Sequence, residues 1–134
     1  MLVTCVFRGN VLSNTNMGVV ASKSYSFAID ILLLYKVLCD NKKEYILSKQ
    51  LLRSGTAIGA LVMEAEHAQS KADFLNKMNI ALKEANETKY WLMLLKDTFY
   101  INQSEFSKIS SSCNEVLSLL AAIVRSTKLS MNRK

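Results

Sequence analysis

The stretch SKADFLNKMNIALKEANETKYWLMLLKDTF, residues 70–99, decides the fold. Within it Phe74, Met78, Ala81, Ala85, Thr88, Leu92, Leu95 and Phe99 recur at alternating steps of four and three, the period of a helical seam that faces other helices. The stretch opens at Ser70-Lys71-Ala72-Asp73, a start in which hydroxyl and carboxylate accept from the free amides of a first turn. The positions away from the seam are not polar. With Met78 as heptad a, Ile80 and Leu94 fall at c, Tyr90 at f, Trp91 at g and Met93 at b. A lone four-helix bundle is polar there, so these five residues are expected to line a second buried surface, most simply a subunit contact.

Outward from this stretch the same period recurs. Leu47, Leu51, Ser54, Ile58, Leu61, Ala65 and Ala68 place a preceding helix at about Glu44 to Ala68. Phe106, Ile109, Cys113, Val116, Leu120 and Ile123 place a following one at about Ser104 to Thr127. A first helix, about Ser24 to Cys39, is apolar nearly all round (Phe27, Ile31, Leu32, Leu34, Tyr35, Leu38) and is therefore expected to be buried on more than one side. The connections are short, so neighbours run antiparallel. The expectation is an all-α, antiparallel, up-and-down, left-handed four-helix bundle over residues 23–128, with a loose leader at 1–22 and a basic tail at 129–134. Residues 1–22 show no helical period and are rich in Asn, Ser, Thr and Gly. Met17, near where the pattern begins, is a second candidate start site, a disordered tail being the other reading.

Composition narrows the class. The 134 residues suffice for one domain with a real core, and half are hydrophobic, which excludes disorder. Four glycines and no proline favour helix. Cys5, Cys39 and Cys113 are odd in number and lack metal spacing, so neither a disulfide framework nor a zinc site is expected and reducing cytoplasm fits best. The greasiest stretch, Phe27 to Cys39, is cut by Asp30 and Lys36 and falls short of the roughly 20 residues of a bilayer span. The start Met1 to Phe7 has no basic region and no adequate apolar core before Arg8, so no signal peptide is expected.

Several residue groups invite chemistry. Gly55 and Gly59 form a GxxxG pair that admits a close helix, with Arg53, Glu64 and Glu66 nearby arguing against a membrane setting. Glu64 and His67 form an ExxH, but a di-iron bundle needs two such motifs and this chain has one histidine, so no metal and no cofactor are expected. Glu84 and Glu87 have the spacing of an acid/base pair without a nucleophile or phosphate loop, so no enzyme is expected. Arg53 with Glu64 or Glu84 reads as a structural ion pair. Tyr90 and Trp91 read as interface anchors, with base stacking the competing reading.

Ser48-Lys-Gln-Leu-Leu-Arg-Ser-Gly-Thr-Ala-Ile-Gly-Ala60, Glu64-Ala65, Asp73-Phe74 and Ile80-Ala-Leu-Lys-Glu-Ala-Asn-Glu-Thr-Lys-Tyr-Trp-Leu92 closely resemble the bacterial four helix bundle proteins known as products of intervening sequences in 23S rRNA genes. The resemblance covers about Lys23 to Thr127. It extends to the accessory variability determinant of diversity-generating retroelements, and so implies a basic homopentamer that engages nucleic acid and a protein such as a reverse transcriptase. The chain departs from the family at Ala57, commonly Ser, Leu61, commonly Asn, and Met63, commonly Ala, which argues against a polar role for that face.

The charge of +6 is the direct pointer to a partner. Residues 1–53 carry +4, residues 54–103 carry −1 and residues 104–134 carry +3. In an up-down bundle this places Lys42, Lys43, Lys49 and Arg53 at one pole and Arg125, Lys128, Arg133 and Lys134, with Lys23, at the other. Such poles favour polyanions. The expectation is a non-enzymatic homo-oligomer, pentameric by the resemblance, that binds RNA or DNA through Lys42, Lys43, Lys49 and Arg53, with Arg125 and Lys128 as a second patch. An oligomeric protein–protein adaptor is the alternative.

Overall fold

In the computed structural model, which describes the backbone of residues 11–132 and the side chains of residues 17–132, the chain forms four helices: α1 Val11–Asp40, α2 Leu47–Ala65, α3 Lys71–Asp97 and α4 Gln103–Asn132. No proline interrupts them, and each later helix starts at a side chain that satisfies its free amides. The Glu44 carboxylate accepts from the amides of Ile46 (2.8 Å), Leu47 (2.9 Å) and Ser48 (2.9 Å) at the head of α2. Ser70 Oγ accepts from Asp73 N at 3.0 Å while the Asp73 carboxylate accepts from Gln69 N at 3.2 Å. At α4, Asn102 Oδ1 accepts from Glu105 N (2.8 Å) and Glu105 returns the bond to Asn102 N (2.9 Å), a full capping box.

The helices pack in a ring, each against its two neighbours. Paired contacts run in opposite senses along each pair, as antiparallel packing requires: Ile31 meets Gly55 and Ser24 meets Gly59, Ser54 meets Thr88 and Glu64 meets Lys77, Ala85 meets Cys113 and Lys71 meets Ser130. The α3 seam buries Phe74, Met78, Ala81, Ala85, Thr88, Leu92 and Leu95, as its period predicts. Phe99 departs from that period: α3 ends at Asp97 and the Phe99 ring is 90% exposed. Inside the core the Thr88 hydroxyl donates to Ser54 Oγ at 2.9 Å, joining α2 to α3 through two fully buried side chains.

Three boundaries and one apolar length differ from the sequence expectation. Helix α1 begins at Val11, and Met17 and Val20 are fully buried, so the expected leader at 1–22 gives way to helix from residue 11; residues 1–10 lie outside the described residues. Helix α2 spans Leu47–Ala65 because Glu44 caps it from outside. Helix α4 continues to Asn132, so the expected tail at 129–134 is helical to 132, with Arg133 and Lys134 outside the described residues. Finally, Met17–Asp40 is long and apolar enough by length and composition to cross a bilayer, contrary to the shorter estimate from Phe27 to Cys39. In the bundle its inward stripe, Phe27, Ile31 and Leu38, belongs to the core.

The glycine pair sets the α1–α2 distance. A Cβ at Gly55 would lie 2.8 and 2.9 Å from the two γ-carbons of Ile31 and 3.3 Å from its Cβ, whereas one at Gly59 would meet Ser24 at an ordinary 3.5 Å. Ile31 is β-branched and cannot swing aside. Gly55→Ala is therefore expected to destabilise the fold by about 1–3 kcal/mol. Gly59→Ala should be neutral or stabilising by up to about 1 kcal/mol through helix propensity. Urea denaturation at fixed protein concentration distinguishes them, and equal effects would refute the asymmetry.

Candidate functional site

The loops 41–46 and 98–102 cap the same end of the bundle, joining the tails of α1 and α3 to the heads of α2 and α4. Lys42, Lys43 and Lys49 are exposed there, and none forms an ion pair among the described residues. The acids at this end are mostly engaged. Glu44 is buried against three amides, Glu105 holds Asn102 N, and Asp97 lies 3.7 Å from Lys96 Nζ. Asp40 is the remaining carboxylate, exposed and without such a partner among the described residues. Tyr45, Ile46 and Phe99 protrude from the same end, 51, 78 and 90% exposed. Composition alone did not single out these three.

Arg53 does not join this cluster. Its guanidinium faces α3, with Nη1 3.4 Å from Glu84 Oε1 and Nη2 on Glu87 Oε2. Glu87 also accepts from Trp91 Nε1 at 3.0 Å, a link the heptad positions did not reveal. The expected Arg53–Glu84 pair is present, but Glu64 instead pairs with Lys77 at 3.1 Å. Because Arg53 is half exposed, the pairs contribute little to stability; their effect is to occupy its charge. Lys23, expected at the opposite pole, pairs with Glu115 at 2.8 Å partway along α4. Arg125 and Lys128 are exposed, and unpaired among the described residues, toward the end where α4 finishes.

Of the residues expected to form a subunit surface, Tyr90 and Met93 are exposed, while Ile80, Leu94 and Trp91 are partly buried. Trp91 packs against the core and meets Tyr90 edge-on at 5.1 Å. A larger apolar face lies on α1. Tyr25, Ile29, Leu32, Leu33 and Val37 are all exposed, opposite the stripe that enters the core. The all-round apolarity of this helix was the signal for it.

Between α1 and α2 a groove of about 450 Å³ is lined by Gly18, Ala21, Tyr25, Gly59, Met63 and Glu66 among others. Glu66 is 4% exposed and its Oε1 has no hydrogen-bond partner among the described residues. Burial raises its pKa above the ordinary 4.5, with the charge of neighbouring His67 opposing less strongly. His67 itself is exposed and Glu64 is engaged by Lys77, so the ExxH does not converge. No group of three or more His, Cys, Asp or Glu side chains among the described residues is placed to hold a metal ion. Cys113, buried, has its thiol pushed up to about 11 by desolvation and stays protonated at neutral pH.

A ring of four antiparallel helices with a small-residue α1–α2 contact defines a helical-bundle module. The chain matches the 23S rRNA-intervening sequence protein family over residues 18–122 and belongs to it. A crystal structure from the S23 ribosomal protein family of Bacteroides thetaiotaomicron, a protein of unknown function, is similar at 53% identity and a TM-score of 0.81, covering 82% of this chain and 98% of its own. No curated protein matches the chain.

The buried Glu66 yields a pH prediction. A carboxyl whose protonated form the fold favours contributes its stability in full below the ordinary value near 4.5 and loses it as pH rises through the raised one. Glu66→Gln should therefore raise Tm by a few degrees at pH 7 and leave it close to wild type at pH 4. Thermal melts at the two pH values read this, and a constant gap would show that the carboxylate is not desolvated.

Proposed function

We propose that the protein is a non-enzymatic, cytoplasmic homo-oligomer, pentameric by family resemblance, that binds nucleic acid through phosphate contacts from Lys42, Lys43 and Lys49. The carrying observation is that these lysines are unpaired at an end where all but one of the acids are engaged by backbone amides or Lys96. Arg53 is left out of the site because Glu84 and Glu87 hold it. Arg125 and Lys128 form the second candidate patch. Phosphate contacts of this kind position a polyanion without reading its sequence, so RNA and DNA are bound with weak sequence preference. The reading has no membrane role: α1 supplies the core stripe of the bundle.

Oligomerisation rests on the apolar face of α1, with Tyr90, Met93 and Leu94 of α3, a helix diagonal to α1 in the ring, as a second, separate surface. Five large apolar side chains on one exposed helix face, from Tyr25 to Val37, form the kind of patch that marks an interaction surface. The free thiols of Cys39 and Cys113 agree with a reducing compartment. The adaptor reading keeps one supporting observation, the exposed Tyr45, Ile46 and Phe99 at the same end of the bundle as the lysines, which also suit a protein partner.

Light scattering should give a mass several times 15.0 kDa, and Ile29→Glu with Leu33→Glu should reduce it to that of a monomer; a monomeric wild type at micromolar concentration refutes the assembly. Replacing Lys42, Lys43 and Lys49 together by Gln should weaken nucleic-acid binding and flatten its salt slope by about three counterions' worth. If wild type shows no salt-sensitive binding to RNA, single-stranded DNA or duplex, the adaptor reading replaces this one.

A further inference from the structure

Among the described residues two non-glycine positions have left-handed backbone, Lys43 at φ 57° and Phe99 at φ 68°, and both belong to the loops at the basic end. At Phe99 the reason is local. Tyr100 N donates to Leu95 O at 2.9 Å and Phe99 N to Lys96 O at 3.0 Å, the paired bonds that close a helix over a left-handed residue. Glycine is the usual occupant, because a Cβ there crowds the backbone.

A phenylalanine in this position costs stability and gives the fold nothing back. Its ring is 90% exposed, and the anchoring of the loop is done by its neighbours: Ile101 is 3% exposed and Tyr100 packs against the core. Lys43 repeats the arrangement, with its side chain exposed and the next residue, Glu44, turned inward as a cap. Strained, outward-facing side chains that do no packing point to function. The end thus displays one ring that is 90% exposed, a second half-exposed ring at Tyr45, and Lys42, Lys43 and Lys49, unpaired among the described residues. Rings beside cations are what unpaired bases on a phosphate backbone require, whereas duplex bases keep their faces stacked inside.

We infer that this end recognises single-stranded nucleic acid, with a base stacking on Phe99 while Lys42, Lys43 and Lys49 hold the phosphates; Tyr45 supplies a second stacking surface. The inference rests on the nucleic-acid reading above and narrows it to the unpaired strand. An acidic protein segment is the competing occupant.

The test uses the full chain, a fluorescein-labelled 15-nucleotide RNA and the same RNA annealed to its complement, followed by anisotropy at several salt concentrations. Wild type should bind the single strand more tightly than the duplex. Phe99→Gly should raise Tm, because it relieves the left-handed strain, yet weaken single-strand binding roughly 5- to 100-fold. Its salt slope should stay unchanged, since no phosphate contact is lost, and Phe99→Trp should restore affinity. Equal affinity of Phe99→Gly and wild type for the single strand, or an equal preference for duplex, overturns the inference while the lysine variant's salt slope still supports phosphate binding. A fall in Tm for Phe99→Gly would show that the ring packs, and removes its premise. No binding of either form to wild type overturns both this inference and the nucleic-acid reading, leaving the protein occupant.

Discussion

The missing Cβ of Gly55 is the constraint on which the arrangement of this bundle depends. Helix α1 is apolar on two opposite faces, so burial alone does not choose which face enters the core; each offers several large side chains, at about 1.5–3 kcal/mol apiece. Shape chooses. Ile31 occupies the space that a side chain at Gly55 would fill, and one turn pair along, Ser24 lies against Gly59. With that stripe fixed inward, Tyr25, Ile29, Leu32, Leu33 and Val37 have to face out. The candidate assembly surface is thus a consequence of a steric fit on the far side of the same helix.

Charge is organised by a comparable division of labour. Along the sequence the net charge is nearly uniform in sign at the two ends and slightly negative between them. In the fold, acids from the middle segment are used to fasten helices. Glu84 and Glu87 hold Arg53, Glu64 holds Lys77 and Glu115, from α4, holds Lys23. Of the acids near the 41–46 and 98–102 loops, Glu44 and Glu105 are taken up by amides, where a carboxylate at a helix N-terminus is favoured by the dipole, and Asp97 lies against Lys96. Lys42, Lys43 and Lys49 therefore owe their free charge to capping chemistry elsewhere in the loops, not to a local excess of basic residues.

The helix count, the α3 seam and the Ser70 cap were legible in the sequence because each depends on spacing within one segment. What was not legible depends on contacts between segments. Residues 11–22 carry a loop-like composition, and their helix is supported by Met17 and Val20 entering the core, a tertiary effect that overrides local propensity. The sequence offers Glu64 or Glu84 as the partner of Arg53, and residue types alone neither add Glu87, one turn from Glu84, nor show that Lys77 reaches Glu64 first. The seam period ran on to Phe99 because periodicity carries no signal for a left-handed residue that is not glycine. Glu44 lies outside its helix and caps it from a distance that short-range cap rules do not cover.

These misses share a cause that bears on function. A bundle commits its inner surfaces to packing, and an apolar outer face such as that of α1 is suited to assembly, so the short loops at the ends are where side chains remain free for a partner. Here those loops are held rigidly: three caps and two closing turns fix the backbone, and Tyr100 and Ile101 anchor one of them. A rigid loop tolerates a strained Phe99 or Lys43 that a mobile one would relax away. In an oligomer closed cyclically along the bundle sides, every copy presents the same end to the same side, so the exposed ring and lysines of one chain are repeated around the axis. On the single-strand reading proposed above, weak individual stacking and phosphate contacts would then act together along one strand, with the gain set by the spacing of the ends and not by any new contact.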